Sequence, residues 1–108
     1  LADVPSEVSR ASRLTAAEFA ARRAELPGLQ LVDVRGAGEF ADGAVDGAVN
    51  IPVAQLRRRA TELDPARPTV VYCAGGYRSS IGASVLRKAG FRDVSDVLGG
   101  IEAIRQAA

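Results

Sequence analysis

Hydrophobic and polar residues follow one another along the chain in two kinds of segment, short apolar runs and longer amphipathic stretches. Runs of four to six mostly apolar residues are typical of buried strands, and they occur at residues 29–34, 48–51, 69–72 and 93–98. The third run contains only β-branched and aromatic residues, which is the strongest strand signal in the chain. The pattern therefore predicts strands at these four places.

Capping residues and helix breakers mark the helices between these runs. Thr15 and Glu18 have the spacing of a capping box, so a helix is expected to begin there and to end before Pro27. Further helices are predicted at three places, over residues 53–63, 79–89 and 101–107. Apolar spacing predicts the core-facing positions, which are Val53, Leu56, Ala60 and Leu63 in the first of these three and Ile81, Val85 and Leu86 in the second.

The order of these elements defines the fold class. Strands alternate with helices through short connections, which is typical of an α/β domain whose parallel sheet is covered by helices on both faces. The segment between the first two strands is predicted to be rich in loops, because four glycines punctuate it around Glu39 and Phe40. At 108 residues the chain has the size of one domain, which is expected to occupy residues 11–108.

Composition and charge exclude several classes of function. The 14 basic and 13 acidic side chains leave a formal charge of +1, which offers no footprint for nucleic acid or an anionic membrane. The local basic cluster at residues 57–59 is interpreted as the solvated face of a helix. No apolar run approaches the ~20 residues that span a bilayer, and the first residues lack the pattern of a signal peptide. We therefore expect a cytoplasmic protein without a membrane or nucleic-acid partner.

The absence of histidine and the presence of a single cysteine limit the chemistry. Without histidine, the chain cannot use a Ser-His-Asp or Cys-His hydrolase mechanism, a His-ligated metal or an imidazole base. One cysteine forms no internal disulfide and cannot build a structural zinc site alone. We expect neither a cofactor nor a metal.

The segment from Cys73 to Ser79 joins the strongest predicted strand to the helix that follows, at the edge where such sheets bind ligands. Gly75 and Gly76 allow a tight turn that aims backbone N–H groups into one hollow, and the helix points its positive end there. Arg78 adds a permanent cation with a planar fork of donors. These features predict an anion cradle with Cys73 at its mouth. The thiol pKa is expected to fall below the free value of ~8.5, so that the thiolate acts as a nucleophile without a base.

A purely structural role for Cys73 is the alternative. A lone cysteine after an apolar strand is commonly a small buried hydrophobic residue. The two glycines, Arg78 and Ser79 together favour the functional role. Two interpretations of Tyr77 stay open, since its side chain either lines the pocket or faces solvent.

The residues from Cys73 to Ser79 resemble the active-site loop of rhodanese-like sulfurtransferases, in which a cysteine is followed by a short cradle and a basic residue. Two further blocks resemble the same family in the right order. The first contains Asp33, Val34, Arg35, Glu39, Phe40, Gly43, Gly47, Ala48, Asn50, Ile51 and Pro52, and the closing block contains Gly90, Phe91, Val94, Leu98, Gly99, Gly100, Ile101 and Ala103. The family often has His where this chain has Ala44, and an aromatic residue where it has Ile104. These departures bear on stability and loop packing more than on chemistry.

This resemblance implies a fold, an activity and a set of site residues. The fold would be a five-stranded parallel sheet flanked by helices, and Cys73 would accept sulfane sulfur as a persulfide. The residues that bind substrate and persulfide would be Ala74, Gly75, Gly76, Tyr77, Arg78 and Ser79, with Asp33, Arg35 and Glu39 as supporting residues that fix neighbouring loops. The partners would be a small-molecule or protein sulfur donor, such as thiosulfate or a persulfide, and a thiophilic acceptor.

Two other functions stay open at this point. Cysteine phosphatases have a related fold but five residues between cysteine and arginine, whereas this chain has four, a cradle that suits a single sulfur atom better. Rhodanese-like modules of larger proteins also serve as docking or sulfur-relay domains, although retention of Cys73 argues against an inert module. The loop is similar to that of modules found beside metallo-β-lactamase-like domains. The sequence does not begin with methionine, so an origin as a module of a longer protein stays open, and residues 1–10 are expected to be a linker or N-terminal extension.

Overall fold

The computed structural model describes residues 11–107, and the predicted linker over residues 1–10 lies outside that range. Strands and helices alternate along the described chain. They are β1 (Ala11–Leu14), α1 (Ala16–Glu25), β2 (Gln30–Asp33), α2 (Ala37–Ala41), β3 (Val49–Asn50), α3 (Leu56–Arg59), β4 (Thr69–Tyr72), α4 (Tyr77–Lys88), β5 (Val94–Val97) and α5 (Gly100–Ala107). Short 3-10 turns at Val53–Gln55 and Ala60–Glu62 flank α3.

The five strands form one parallel sheet in the order β1-β5-β4-β2-β3. β4 lies at the centre of the sheet, and all of its residues are buried. Burial on both faces is typical of a parallel sheet with helices on each side, and the predicted α/β fold is confirmed. None of the helices within residues 11–107 is long and apolar enough to cross a bilayer.

Two clusters of buried side chains hold the helices against the sheet. Successive side chains of a strand point to opposite faces, so Val70 and Tyr72 of β4 enter one cluster and Val71 enters the other. On the first face, α1 and α5 contribute Phe19 and Ile101. On the second face, α3 and α4 contribute Leu56, Ala83 and Leu86. The carboxyl end of β4 is therefore enclosed between helices from both layers.

The structure contains two elements that the hydrophobic pattern did not predict. β1 has the sequence ASRL and pairs only with β5 at the edge of the sheet, so it lacks the apolar run of a central strand. α2 lies in the segment that was predicted to be rich in loops. A helix forms there because the Glu39 carboxylate accepts a hydrogen bond from the Gly36 N–H at 2.9 Å, and this contact starts a helix of five residues. The helix predicted over residues 53–63 has the expected buried face but is divided by its two 3-10 turns.

The buried face of α4 differs in part from the prediction. Leu86 is buried and Val85 packs against the same cluster, as expected, but Ile81 is 42% exposed. The sheet-facing side of the helix is occupied by the small residues Gly82 and Ala83 instead. A methyl group on Gly82 would already contact neighbouring side chains at 3.3 Å, so the helix lies close to the sheet. Apolar periodicity misplaced this face because small residues contribute little hydrophobic signal.

Candidate active site

Cys73 is the first residue after β4, where the cysteine loop (residues 73–76) leads into α4. Its side chain lies on the same face as that of Val71 and belongs to the cluster beneath α4. It is only 1% exposed, so the prediction that Cys73 sits at the mouth of a cradle is wrong. The strand periodicity carries this side chain inward, and Sγ lies at the floor of the loop.

Donor groups of the loop and of the first turn of α4 converge on the Cys73 Sγ. The Gly76 and Ser79 N–H groups donate to Sγ at N···S distances of 3.1 Å and 3.3 Å. The Ser79 hydroxyl oxygen lies 3.5 Å from Sγ and accepts from the thiol; once that proton has left, the hydroxyl is free to donate to the thiolate. Because α4 begins at Tyr77, two residues before its predicted start, the Ser79 N–H belongs to the first turn, where amides lack a helical partner. Gly76 has a φ of +105°, a conformation that glycine adopts without a side-chain clash. The sulfur takes the place of a missing backbone acceptor.

Burial and hydrogen bonding have opposite effects on the pKa of the Cys73 thiol. Burial raises it, but hydrogen bonds from the Ser79 side chain and from the N–H groups of Ser79, Gly76 and Gly75 lower it. The hydrogen bonds together lower the pKa by more than burial raises it, so the pKa lies below the ordinary value of a cysteine thiol. Fixed dipoles therefore favour the thiolate without the help of an imidazole base, which this chain lacks.

Arg78 forms two parallel hydrogen bonds with Glu39 of α2. The distances are 2.8 Å from Nη1 to Oε1 and 3.0 Å from Nη2 to Oε2. The Arg78 side chain, together with the Gly36 N–H, lowers the pKa of Glu39 to about 2. The pair fixes the plane of the guanidinium and leaves other N–H groups of Arg78 for a further acceptor. Two of the predicted site residues are thus in direct contact.

Asp33 and Arg35 form a buried ion pair at the end of β2, with Nη2 of Arg35 2.7 Å from Oδ2 of Asp33. The Arg35 guanidinium also donates to the Gly43 carbonyl oxygen at 2.6 Å. The Asn50 side-chain amide donates to the carbonyl oxygens of Asp33 and Arg35, each at 3.0 Å. These contacts tie the segment between β2 and β3 to the sheet.

Arg13 and Asp96, for which the sequence pattern predicted no role, reach the cysteine loop from β1 and β5. Their side chains form an ion pair of 2.8 Å, and Nη2 of Arg13 also donates to the Gly76 carbonyl oxygen at 2.9 Å. A charged residue within an apolar strand was the available signal, because a buried carboxylate requires a partner. That signal points to Asp96 but does not identify Arg13.

The remaining predicted positions are arranged around this centre. Tyr77 is 77% exposed, so its side chain faces solvent, which was one of its two interpretations. Gly75 is exposed and Ala74 is half-buried. Ala44 and Ile104 line the same open groove between α1 and α5. Within residues 11–107, no group of three or more His, Cys, Asp or Glu side chains is placed to hold a metal ion.

Comparisons with known proteins agree on one family. A family model described as "Rhodanese-like domain" matches residues 15–107. The chain is 39% identical over 89 residues to the uncharacterized protein YqhL of Bacillus subtilis, covering 82% of this chain and 68% of YqhL. It is 36% identical over 83 residues to the thiosulfate sulfurtransferase GlpE of Shewanella oneidensis, covering 77% of this chain and 82% of GlpE. The solution structure of the rhodanese-like domain from the Anabaena protein Alr3790 superposes with a TM-score of 0.79 at 31% identity, covering 89% of this chain and 74% of that one.

The similarity also extends to a part of a much longer protein. Over 64 residues, the chain is 45% identical to the HTH-type transcriptional regulator Rv0324 of Mycobacterium tuberculosis. The aligned segment covers 59% of this chain and 28% of the regulator. Similar domains thus occur both in proteins of about this size and within longer ones.

Proposed function

The chain belongs to the rhodanese-like domain family, and we propose that it is a sulfurtransferase that carries sulfane sulfur as a persulfide on Cys73. One observation carries the proposal, namely that the Gly76 and Ser79 N–H groups lie within 3.3 Å of a buried Sγ. Such donors stabilise a thiolate before the reaction and a persulfide anion after it. They also remove the need for a base, which suits a chain without histidine.

The proposed reaction has two steps that need no outside oxidant or reductant. The Cys73 thiolate first attacks the sulfane sulfur of the donor, forming a new S–S bond at Sγ. The bond between that sulfur and the rest of the donor breaks, and the leaving group departs with its electron pair, as sulfite does from thiosulfate. An acceptor nucleophile then attacks the terminal sulfur, and Cys73 leaves as the thiolate. The donors around Sγ hold the anion in both states.

We assign binding of the substrate and the persulfide to residues 74–79, with Asp33, Arg35 and Glu39 as supporting residues. The Glu39–Arg78 and Asp33–Arg35 contacts support this assignment, because they connect neighbouring segments to the edge of the sheet that carries Cys73. Thiosulfate is the first donor to test, since the relative GlpE is named a thiosulfate sulfurtransferase. A polysulfide, glutathione persulfide or a protein persulfide would supply the same sulfane sulfur.

A sulfur relay is the second form that this function could take. The side chain of Tyr77 is exposed beside the loop, where a protein donor or acceptor would approach. The relative Rv0324 is much longer than this chain, which supports fused or docked domains as partners in this family. We place the activity in the cytoplasm, because a free thiolate persists in a reducing compartment.

The purified protein is expected to form thiocyanate from cyanide with at least one sulfane donor and to release no product from an aryl phosphate. With four residues between Cys73 and Arg78, the donors close around one sulfur atom and leave little room for a tetrahedral phosphate. A colorimetric thiocyanate assay with thiosulfate, polysulfide and glutathione persulfide measures the first activity, and release of nitrophenol measures the second. Phosphate hydrolysis that is lost in Cys73→Ser, without thiocyanate from any donor, would reverse the assignment.

Substitution of Arg78 by Ala is expected to lower kcat/KM for sulfur transfer by ~10²-fold, a typical loss for one electrostatic donor. Arg78→Lys should recover only part of it, because an ammonium group cannot bond Glu39 and a substrate oxygen with a planar fork. Glu39→Gln is the matched variant, since it keeps the side-chain shape and the guanidinium charge. We expect kcat/KM of Glu39→Gln for sulfur transfer to fall by no more than ~10-fold. Wild-type steady-state kinetics in Arg78→Ala would show that the backbone donors are sufficient.

A further inference from the structure

We propose that Arg13 and Asp96 are positioning residues for the Cys73 sulfur. Arg13 holds the Gly76 peptide and Asp96 holds the Ser79 hydroxyl, and both of these groups contact the sulfur. The inference deepens the proposed sulfur transfer and rests on it, because it concerns the stability of the thiolate and of the persulfide that follows. Among the hydrogen bonds of residues 11–107, none joins either side chain to Sγ. Their effect is transmitted through the two residues whose donors contact the sulfur.

The two charged side chains face each other across neighbouring strands. Arg13 of β1 and Asp96 of β5 are register partners in the parallel ladder, so their side chains lie on the same face of the sheet. Nε of Arg13 lies 3.0 Å from Oδ2 of Asp96 and 3.3 Å from Oδ1, and Nη2 lies 2.8 Å from Oδ2. The Asp96 side chain is only 4% exposed, whereas that of Arg13 is 47% exposed. Arg13 therefore supplies the charge that a buried carboxylate requires.

Arg13 extends this contact to the cysteine loop. Its Nη2 donates to the Gly76 carbonyl oxygen at 2.9 Å, while the N–H of the same glycine points at Sγ from 3.1 Å. Gly76 lies in the left-handed region, and glycine has more freedom of backbone rotation than other residues. A fixed carbonyl restricts that rotation, so the guanidinium helps to keep the Gly76 N–H aimed at the sulfur.

Asp96 contacts the Ser79 hydroxyl, the other group that Arg13 and Asp96 are proposed to position. The Ser79 hydroxyl oxygen lies 3.5 Å from Oδ2 of Asp96, 3.5 Å from Sγ and 3.3 Å from the Gly76 carbonyl oxygen. A hydroxyl has one proton to donate, so Asp96 and an anionic sulfur compete for it. Because Arg13 already occupies Oδ2 and offsets the charge, the carboxylate draws that proton less strongly. Without Arg13, an unpaired negative charge would stand behind Ser79 and oppose a second negative charge on sulfur.

Two further ion pairs lie on the segments beside the loop. Arg78 of α4 is paired with Glu39 of α2, and Asp33 is paired with Arg35 at the end of β2. The hydrogen bonds of the Arg13 side chain go to Asp96 and Gly76, so we expect both pairs to stay in place when Arg13 is changed. A changed pH dependence of Cys73 in an Arg13 variant therefore reports on the Arg13–Asp96 pair.

The test is the pH dependence of Cys73 alkylation by iodoacetamide in the full chain, which contains no other thiol. Arg13→Ala is expected to react about tenfold more slowly at pH 7, with its pH–rate curve moved to higher pH. Arg13→Lys keeps the positive charge but not the planar fork of guanidinium donors, and its alkylation rate at pH 7 should be about threefold lower than that of the wild type. Adding Asp96→Asn to Arg13→Ala removes the uncompensated carboxylate and should recover at least about threefold of the rate.

Arg22→Ala is the matched control. It removes a tertiary ion pair of 2.6 Å between α1 and Asp93, which touches neither the loop nor Sγ. Its pH–rate curve should match that of the wild type, with thermal unfolding confirming that each variant is folded. Where Arg13→Ala does not fold, Arg13→Lys carries the test. An unchanged curve in the folded Arg13 variants, or an equal shift in Arg22→Ala, would overturn the inference.

Sulfur loading of the same proteins separates this inference from the proposed function. Alkylation needs no sulfur donor, and the pH dependence of its rate reports the fraction of thiolate. A wild type that takes up no sulfur from any donor contradicts the sulfurtransferase assignment, whereas variants that load sulfur and alkylate like the wild type contradict only the positioning role.

Discussion

The variant Cys73→Ser is expected to lose sulfur loading completely, whereas the wild-type protein gains the mass of one sulfur atom when it is incubated with a sulfane donor. The reason is that the chain contains no second thiol that could carry the sulfur. A serine hydroxyl at this position would remain protonated, because its pKa lies far above the range that loop donors can reach. Intact-mass spectrometry before and after treatment with a thiol reductant measures the gain and its reversal.

Two outcomes would contradict the persulfide mechanism. One is the same mass gain in Cys73→Ser, which would place the added sulfur elsewhere. The other is a wild-type protein that gains no mass with thiosulfate, polysulfide or glutathione persulfide. Because Cys73 is 1% exposed, each donor is tested at several incubation times, so that slow entry is distinguished from no reaction.

The variant Gly100→Ala is expected to lower stability by ~2–4 kcal/mol, since it combines a strained backbone conformation with overpacking. Gly100 has a φ of +60°, and a methyl group on it would overlap the carbonyl oxygens of Cys73 and Ala74. The same approach allows the Ile101 N–H to donate to the Cys73 carbonyl oxygen at 2.8 Å. Displacement of α5 would therefore move the cysteine loop, and we expect at least ~10-fold slower sulfur loading where the protein is still folded. Thermal unfolding should show a Tm lower by ~10 °C or more.

Gly38→Ala is the matched control for this variant. Gly38 lies within α2, where an added methyl group meets no atom within 4 Å and φ is not positive. Alanine is the better helix former, so this variant should be as stable as the wild type or more stable by up to ~1 kcal/mol. Equal Tm values for Gly100→Ala and the wild type would mean that α5 moves aside without cost to the loop.

Local signals in the sequence were sufficient for most of the secondary structure. The capping box of Thr15 and Glu18 starts α1 as predicted, and the strand predicted over residues 69–72 is β4. Both signals lie among residues within one turn or one strand of each other, so they can be recognised in the sequence without knowledge of the neighbouring elements. The alternation of these elements also predicted the parallel α/β sheet.

The sequence was less informative where an element depends on a distant neighbour. Only Leu14 of the four residues of β1 is large and apolar, and the strand exists because β5 offers it a parallel partner. The face of α4 was misjudged at Ile81, because close packing against the sheet selects small residues there rather than the most apolar ones. Neither preference can be recognised in a window of neighbouring residues.

The same distinction applies to the candidate site. The run from Cys73 to Ser79 drew attention by itself, since its glycines, its cysteine and the following helix are adjacent in sequence and their donors meet in space. The depth of Cys73, the pairing of Arg78 with Glu39 across 39 positions and that of Arg13 with Asp96 across 83 were settled by the packing of strands and helices. Contacts at such separations depend on the order of strands in the sheet and on the layer of each helix. Local residue patterns carry no information on either, so these contacts became visible only in the folded chain.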